Sequence, residues 1–404
     1  MRRWLTGLLL VVALAALAFF ALAPGILERG MNKIDGKPLP VVSERAKTLH
    51  QTLTIVDLHS DTLLWKRSIL DRADRGHMDF PRLEEGNVAL QVLASTTKSP
   101  KGQNYVANGA DTDNITGLVI AQLQPVRTWN SLLERSLWHS EKLKRALAEQ
   151  QEAIGNRPPW YLVTAPGGLD GLNKEVIPDH PTGRGVMLSV EGLHVLEGDI
   201  ANLDKLYAAG FRMAGLTHFF DNDLAGSMHG LKKGGLTAFG RRVVTAMEAK
   251  GMIVDVAHCS KACVADILKM ARRPVVSSHG GVQATCQVNR NLDDAQIRGV
   301  AATGGLIGIG YWDAAVCDTS PASIAKAMKH VRDLVGIQYV ALGSDYDGAT
   351  TVRFDTSHLV QVTQALIDAG FTDDEIRAAM GGNAIRVLSA GLVPLTPPAS
   401  VSAR

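Results

Sequence analysis

Eight short apolar runs recur along this chain, and no other feature restricts its fold as much. They lie at 53–58, 88–94, 185–190, 211–217, 251–257, 274–278, 305–310 and 339–344. Each has the length of a strand and is apolar nearly throughout, the pattern of strands buried on both faces of a parallel sheet. Between them, 236–250, 260–271, 293–303 and 321–335 carry apolar residues at three- and four-residue spacing, as amphipathic helices do. Eight strands alternating with helices predict an α/β fold, the (β/α)8 TIM-type barrel. The chain of 404 residues accommodates one such barrel over 51–390. The connection between the second and third strands is far longer than a crossover needs. Residues 98–184 therefore predict an insertion near the mouth, helical over 115–155 and strand-like over 160–163.

The amino terminus is a separate matter. Met1-Arg2-Arg3 is followed by an uncharged apolar run from Trp4 to Ala23. At ~1.5 Å per residue such a helix spans the ~30 Å hydrocarbon core of a bilayer. Two readings stay open: a signal peptide cleaved after Ala21-Leu22-Ala23, or an uncleaved membrane anchor helix over 1–23. Pro24 is a poor start for a mature chain, and the run is longer than a usual signal core, which favours the anchor. Either way the expectation is export to the periplasm or the extracytoplasmic membrane face. Residues 24–50 read as a polar stalk and 391–404 as a flexible tail, with no apolar end for a lipid anchor.

Lys and Arg (42) nearly balance Asp and Glu (40), so no concentrated basic face for nucleic acid is expected. The four cysteines (Cys259, Cys263, Cys286, Cys317) are too few for a disulfide scaffold. Cys259 and Cys263 read as small packing residues.

The residues at the strand ends carry the chemistry. His59 and Asp61 come directly after the first strand, and their i, i+2 spacing points both side chains the same way. Glu191 ends the third strand, His218 the fourth, His258 the fifth and His279 the sixth. Asp345 ends the eighth, within Gly343-Ser344-Asp345-Tyr346-Asp347-Gly348. Barrel enzymes place catalysis at the carboxyl ends of their strands, so these residues would converge on one pocket. A lone histidine there is usually a hydrogen-bonded structural residue. Seven ionisable residues at six of eight strand ends are hard to explain by packing, because burying them unpaired is costly. Imidazoles and carboxylates without a spaced thiolate cluster suit Zn²⁺ or a similar divalent ion, and Glu191 can bridge two of them. His50, His77, His139, His180 and His330 fall in predicted helices or loops; His194, His229 and His358 lie near loops that could rim the pocket.

The motifs together resemble the membrane (renal-type) dipeptidases, zinc metallopeptidases related to the amidohydrolase barrels. The resemblance runs through Ile55-Val56-Asp57-Leu58-His59-Ser60-Asp61-Thr62, His77-Met78-Asp79-Phe80-Pro81-Arg82-Leu83, Ser189-Val190-Glu191-Gly192 and Leu216-Thr217-His218. It continues through Val254-Asp255-Val256-Ala257-His258, Val276-Ser277-Ser278-His279, Arg290-Asn291-Leu292, the Asp345 segment and Gly381-Gly382-Asn383, covering about 50–390. It implies two zinc ions, one on His59 and Asp61, the other on His258 and His279, with Glu191 bridging. It also implies that His218 stabilises the oxyanion, Arg290 pairs with the carboxylate of a small dipeptide substrate, and Asp345 handles the proton. The attacking hydroxide would come from a shared water whose pKa falls from ~15.7 toward 7. The chain departs from the family at Phe219-Phe220-Asp221-Asn222-Asp223-Leu224-Ala225, where an Asn-x-Pro-Trp-like turn is usual, and in the 98–184 insertion. Both departures leave the preferred substrate open, and a homodimer stays open as well. The rivals are another binuclear-metal amidase (D-aminoacylase-like, β-lactam-hydrolysing or phosphoesterase-like) and an inactive exported binding barrel. Against the first, no Lys ends a proposed strand; against the second, no ligand is missing.

Overall fold

The computed structural model describes residues 2–154, 160–172 and 183–395. All eight apolar runs form strands: β1 (Ile55–Asp57), β2 (Val88–Thr96), β3 (Arg184–Glu191), β4 (Phe211–Gly215), β5 (Ile253–Asp255), β6 (Val276–Ser277), β7 (Leu306–Ile309) and β8 (Val340–Leu342). They run β2-β1-β8-β7-β6-β5-β4-β3 in space, every pairing is parallel, and β2 pairs with β3 to close the barrel. Trp160–Leu162 adds an outer strand against the start of β3.

The two faces of each strand serve two cores. Met187 of β3 joins Leu90, Val92, Met213, Ile253 and Val276 inside the barrel. Val186, Leu188 and Val190 join the shell packed under the helices. Side chains alternate along a strand, so Glu191, two positions beyond Ser189, faces inward with Met187. Sharp local signals start and stop the crossovers. Gly251 ends the Ala238–Lys250 helix with φ at 69°, a conformation that glycine takes without strain, and β5 follows. Ser260 caps the Lys261–Met270 helix by accepting from Cys263 N, which fixes the turn just after His258.

Two expectations change. The apolar helix does not stop near Ala23 but runs Arg2–Met31 with Pro24 inside it. Residues 24–50, expected as a stalk, are folded onto the barrel. Glu28 is buried between Arg67 and Arg75, Lys33–Ile34 pairs in parallel with Thr351–Val352, and Glu44–Gln51 forms a capped helix. The reason lies in long-range ion pairs and strand pairing, which no local period announces. Within the insertion the helices are Ile115–Ala121, Arg127–Asn130 and Leu132–Ile154. His180 and residues 396–404 lie outside the described residues.

Candidate active site

The strand ends bring His59, Asp61, Glu191, His258, His279 and Asp345 into one buried cluster. Glu191 is at its centre. Its Oε1 lies 2.9 Å from His258 Nε2, 3.3 Å from His279 Nε2 and 3.8 Å from His59 Nε2. His59 Nε2 also faces Asp61 at 3.6 Å and Asp345 at 3.9 Å, yet it has no hydrogen-bond partner among the described residues. His258 Nε2 and His279 Nε2 face each other at 3.1 Å. Three nitrogens and three carboxylates thus aim at a common centre, in groups whose ligand atoms lie within 4.8 Å of one another. This fits divalent cations: imidazole and carboxylate donors, converging, buried, and otherwise poorly paired.

The electrostatics agree. Burial works against a charged His59, but the Asp61 carboxylate 3.6 Å away, with the Glu191 and Asp345 charges, outweighs it and holds the imidazolium up to about 10. The cluster therefore favours positive charge at its centre. Burial raises the Asp345 carboxyl well above the usual carboxylate range; His59 opposes this, while Asp61 and Glu191 reinforce it.

Supporting contacts hold these groups in place. Thr96 Oγ1 lies 2.5 Å from Asp61 Oδ1 and 2.6 Å from Glu191 Oε2, so its one proton is shared between the two. Asp57 accepts from the backbone N–H groups of His59 and Ser344, tying β1 to β8 at the site. Asp255 does the same between β5 and β6, accepting from Ala257 N, Ser278 N and Ser278 Oγ. Reasoning from sequence alone misses Thr96, Asp57 and Asp255. The repeated Ile-Val-Asp at 55–57 and 253–255 is the signal that could have found the two aspartates.

His218 Nδ1 lies 3.1 Å from the Lys98 carbonyl oxygen, which can only accept, so this nitrogen carries the proton. Its Nε2 points to Glu191 Oε2 at 3.5 Å. Arg290 is buried beside His258, 3.5 Å from Nε2, donates to His279 O at 3.0 Å and stands over the Trp312 ring. It makes no salt bridge among the described residues. Asp293 pairs with Lys261 and Asp294 with His330, so the acidic neighbours that could have occupied it are engaged elsewhere. A disulfide, Cys286–Cys317, joins the loop carrying Arg290 to the segment after Trp312, and Asn291 bonds to both Cys286 O and Ala315 O. Cys259 and Cys263 are buried free thiols.

A cavity of about 510 Å³ opens on this cluster, and Tyr105 of the insertion reaches into it beside Phe219 and Trp312. Tyr105 is not among the expected site residues. His229 stacks on Phe219 behind His258, and His194 binds Thr97 and lines a neighbouring cavity. His77 lies beneath the Asp345 turn, and His358 is at the surface with Asp355.

A closed parallel barrel with a convergent His, Asp and Glu cluster at its carboxyl-terminal mouth defines a metal-dependent hydrolase. A sequence model of the membrane dipeptidase family (Peptidase family M19) matches residues 43–392, and the chain belongs to that family of metallo-dipeptidases. Dipeptidase aclJ of Aspergillus oryzae is 28% identical over 405 residues, covering 93% of this chain and 86% of that one. Among solved structures, the probable dipeptidase PvdM from Pseudomonas aeruginosa superposes with a TM-score of 0.70 at 20% identity, over 86% of this chain and 98% of its own. A metallo peptidase from Rhodobacter sphaeroides, liganded with a phosphinate mimic of the dipeptide L-Ala-D-Ala, gives 0.66 at 19% identity, over 84% and 99%.

Proposed function

We propose that this protein is an exported two-zinc dipeptidase that cleaves dipeptides bearing a free C-terminal carboxylate. One observation carries the substrate reading: a buried guanidinium without a salt-bridge partner among the described residues shares a cavity with the metal-type cluster. Arg290 can clamp a carboxylate through two parallel hydrogen bonds, fixing distance and orientation together. With the carboxylate held there and the scissile carbonyl over Glu191, one residue fits between them. The mimic held by the Rhodobacter neighbour is itself a dipeptide analogue.

The donor set supports zinc: His59 and Asp61 would hold one ion and His258 and His279 the other, with Glu191 available to both. When bound, the ions acidify a water and polarise the carbonyl. The chain's own residues supply the rest. Asp345 takes a proton from the attacking water and returns it to the amine as the C–N bond breaks. His218, its Nδ1 committed to Lys98, can donate from Nε2 only as the imidazolium, and that charge suits a developing oxyanion. Trp312 and Tyr105 exclude water around the clamp.

Two features support export: the Arg2–Met31 helix, long and apolar enough to cross a membrane, and the Cys286–Cys317 disulfide, a bond that persists in oxidising compartments. In this reading 1–23 is the membrane segment and 51–390, with its 98–184 insertion, the catalytic body. A panel of L-L and L-D dipeptides, their C-terminal amides and matched tripeptides, assayed with zinc-loaded protein, tests the function. The free dipeptides should be cleaved and the amides and tripeptides spared. Preferential cleavage of tripeptides or amides would contradict it.

A further inference from the structure

Two chemically different groups of residues line the cavity. Arg290 stands over the Trp312 ring, and Trp312 Nε1 donates to the Tyr105 hydroxyl. Leu64, Ile115 and Leu118 form a separate apolar cluster, and Leu27 and Met31 of the amino-terminal helix line the same cavity. We infer that Leu27 and Met31 form part of the subsite for the side chain of the dipeptide's amino-terminal residue, and select a large apolar one. This rests on the dipeptidase reading.

The barrel order gives the direction. Arg290 follows β6 and Leu64 follows β1, three strands away round the barrel, and Ile115 and Leu118 of the insertion after β2 cluster with Leu64. A dipeptide with its carboxylate on Arg290 and its carbonyl over Glu191 extends its amino-terminal residue toward β1 and β2. There it meets an apolar wall. Leu64 and Leu118 are nearly covered, at 8% each, whereas Leu27 and Met31 remain 45% and 41% exposed, unusual for large apolar side chains at the edge of a cavity. They are four residues apart and so share one helix face.

That face is fixed and not a loose flap. Glu28 is 1% exposed, with Oε1 2.6 Å from Arg67 Nε and Oε2 2.8 Å from Arg75 Nε. Arg29 pairs with Asp74, Asn32 accepts from Ala349 N at 2.9 Å, and Lys33–Ile34 runs beside Thr351–Val352. The family match begins at residue 43, so Leu27 and Met31 come from sequence outside it. Both residues lie beyond Ala23, so a cut there would leave them in the chain.

The test uses full-length, zinc-loaded protein in detergent micelles, comparing kcat and KM for leucyl-alanine and glycyl-alanine. A Leu27→Ser/Met31→Ser double variant should lower the leucyl-to-glycyl ratio of kcat/KM by about tenfold, chiefly through KM for the leucyl substrate. The glycyl-leucine to glycyl-alanine ratio, which reads the other residue, should not move. Leu27→Trp, which fills the wall without making it polar, should also penalise leucyl-alanine against glycyl-alanine. An unmoved leucyl-to-glycyl ratio in both variants, with an active wild type, overturns the subsite alone. A wild type that cleaves no dipeptide overturns the dipeptidase reading and the subsite with it.

Discussion

Arg67 and Asp347 form a buried ion pair beneath the turn that carries Asp345. Asp347 also accepts from Thr62 Oγ1 at 2.7 Å and His77 N at 2.6 Å, so its lone pairs are spent on structure. Asp345 points instead toward His59. Both residues have positive φ, 60° and 63°, a strained conformation for side chains other than glycine, and the ion pair helps hold the turn in it. The two aspartates should therefore fail differently. Asp345→Asn should lower kcat by roughly 10²–10⁴ with the unfolding midpoint nearly retained. Asp347→Asn should lose about 3–5 kcal/mol of stability, as a broken buried ion pair does. The reverse pattern in kinetics and thermal melts would exchange their roles.

Arg290→Ala should lose about 2–5 kcal/mol in kcat/KM for a free dipeptide, the cost of breaking a buried charge pair. Amidating the dipeptide should harm the wild type far more than the variant. Equal penalties would mean that Arg290 does not read the carboxylate.

Cys286→Ser should cost about 2–5 kcal/mol of stability, because the disulfide closes a stretch of 31 residues around the Arg290 loop. It should also raise KM more than it lowers kcat, since the clamp and not the metal cluster loosens. Melts and kinetics of oxidised and reduced wild type check this independently. No difference between those two states would remove the disulfide from the account.

Export is checked by an alkaline phosphatase fusion after residue 50, which should be active. An inactive fusion, with the body protected in spheroplasts, would contradict the localisation.

The barrel was legible in the sequence because strand-length apolar runs such as 185–190 have no other use at that spacing. The cluster was legible because seven ionisable residues at six strand ends, unlike a lone His258 or Glu191, are hard to explain by packing. What escaped depended on distance in sequence. Glu28 meets Arg67 and Arg75 only once the barrel exists, and Pro24, placed at the start of the stalk, lies inside the helix. A helix loses only about one turn's bonding at a proline, and tertiary contacts can offset that. Cys286 shows no local sign of Cys317, because four cysteines allow several pairings. Thr96 and Asp57 look like ordinary strand residues until their hydrogen bonds to the cluster and its backbone are seen.

Elemental analysis of purified protein, read beside dipeptide hydrolysis, tests the central claim most directly. The wild type should carry close to two zinc ions per chain, and exhaustive chelation should abolish hydrolysis until zinc is returned. Glu191→Ala, which removes the carboxylate shared by both proposed ions, should lose metal and activity together. Full activity in protein stripped of metal, or undiminished zinc in Glu191→Ala, would contradict the account.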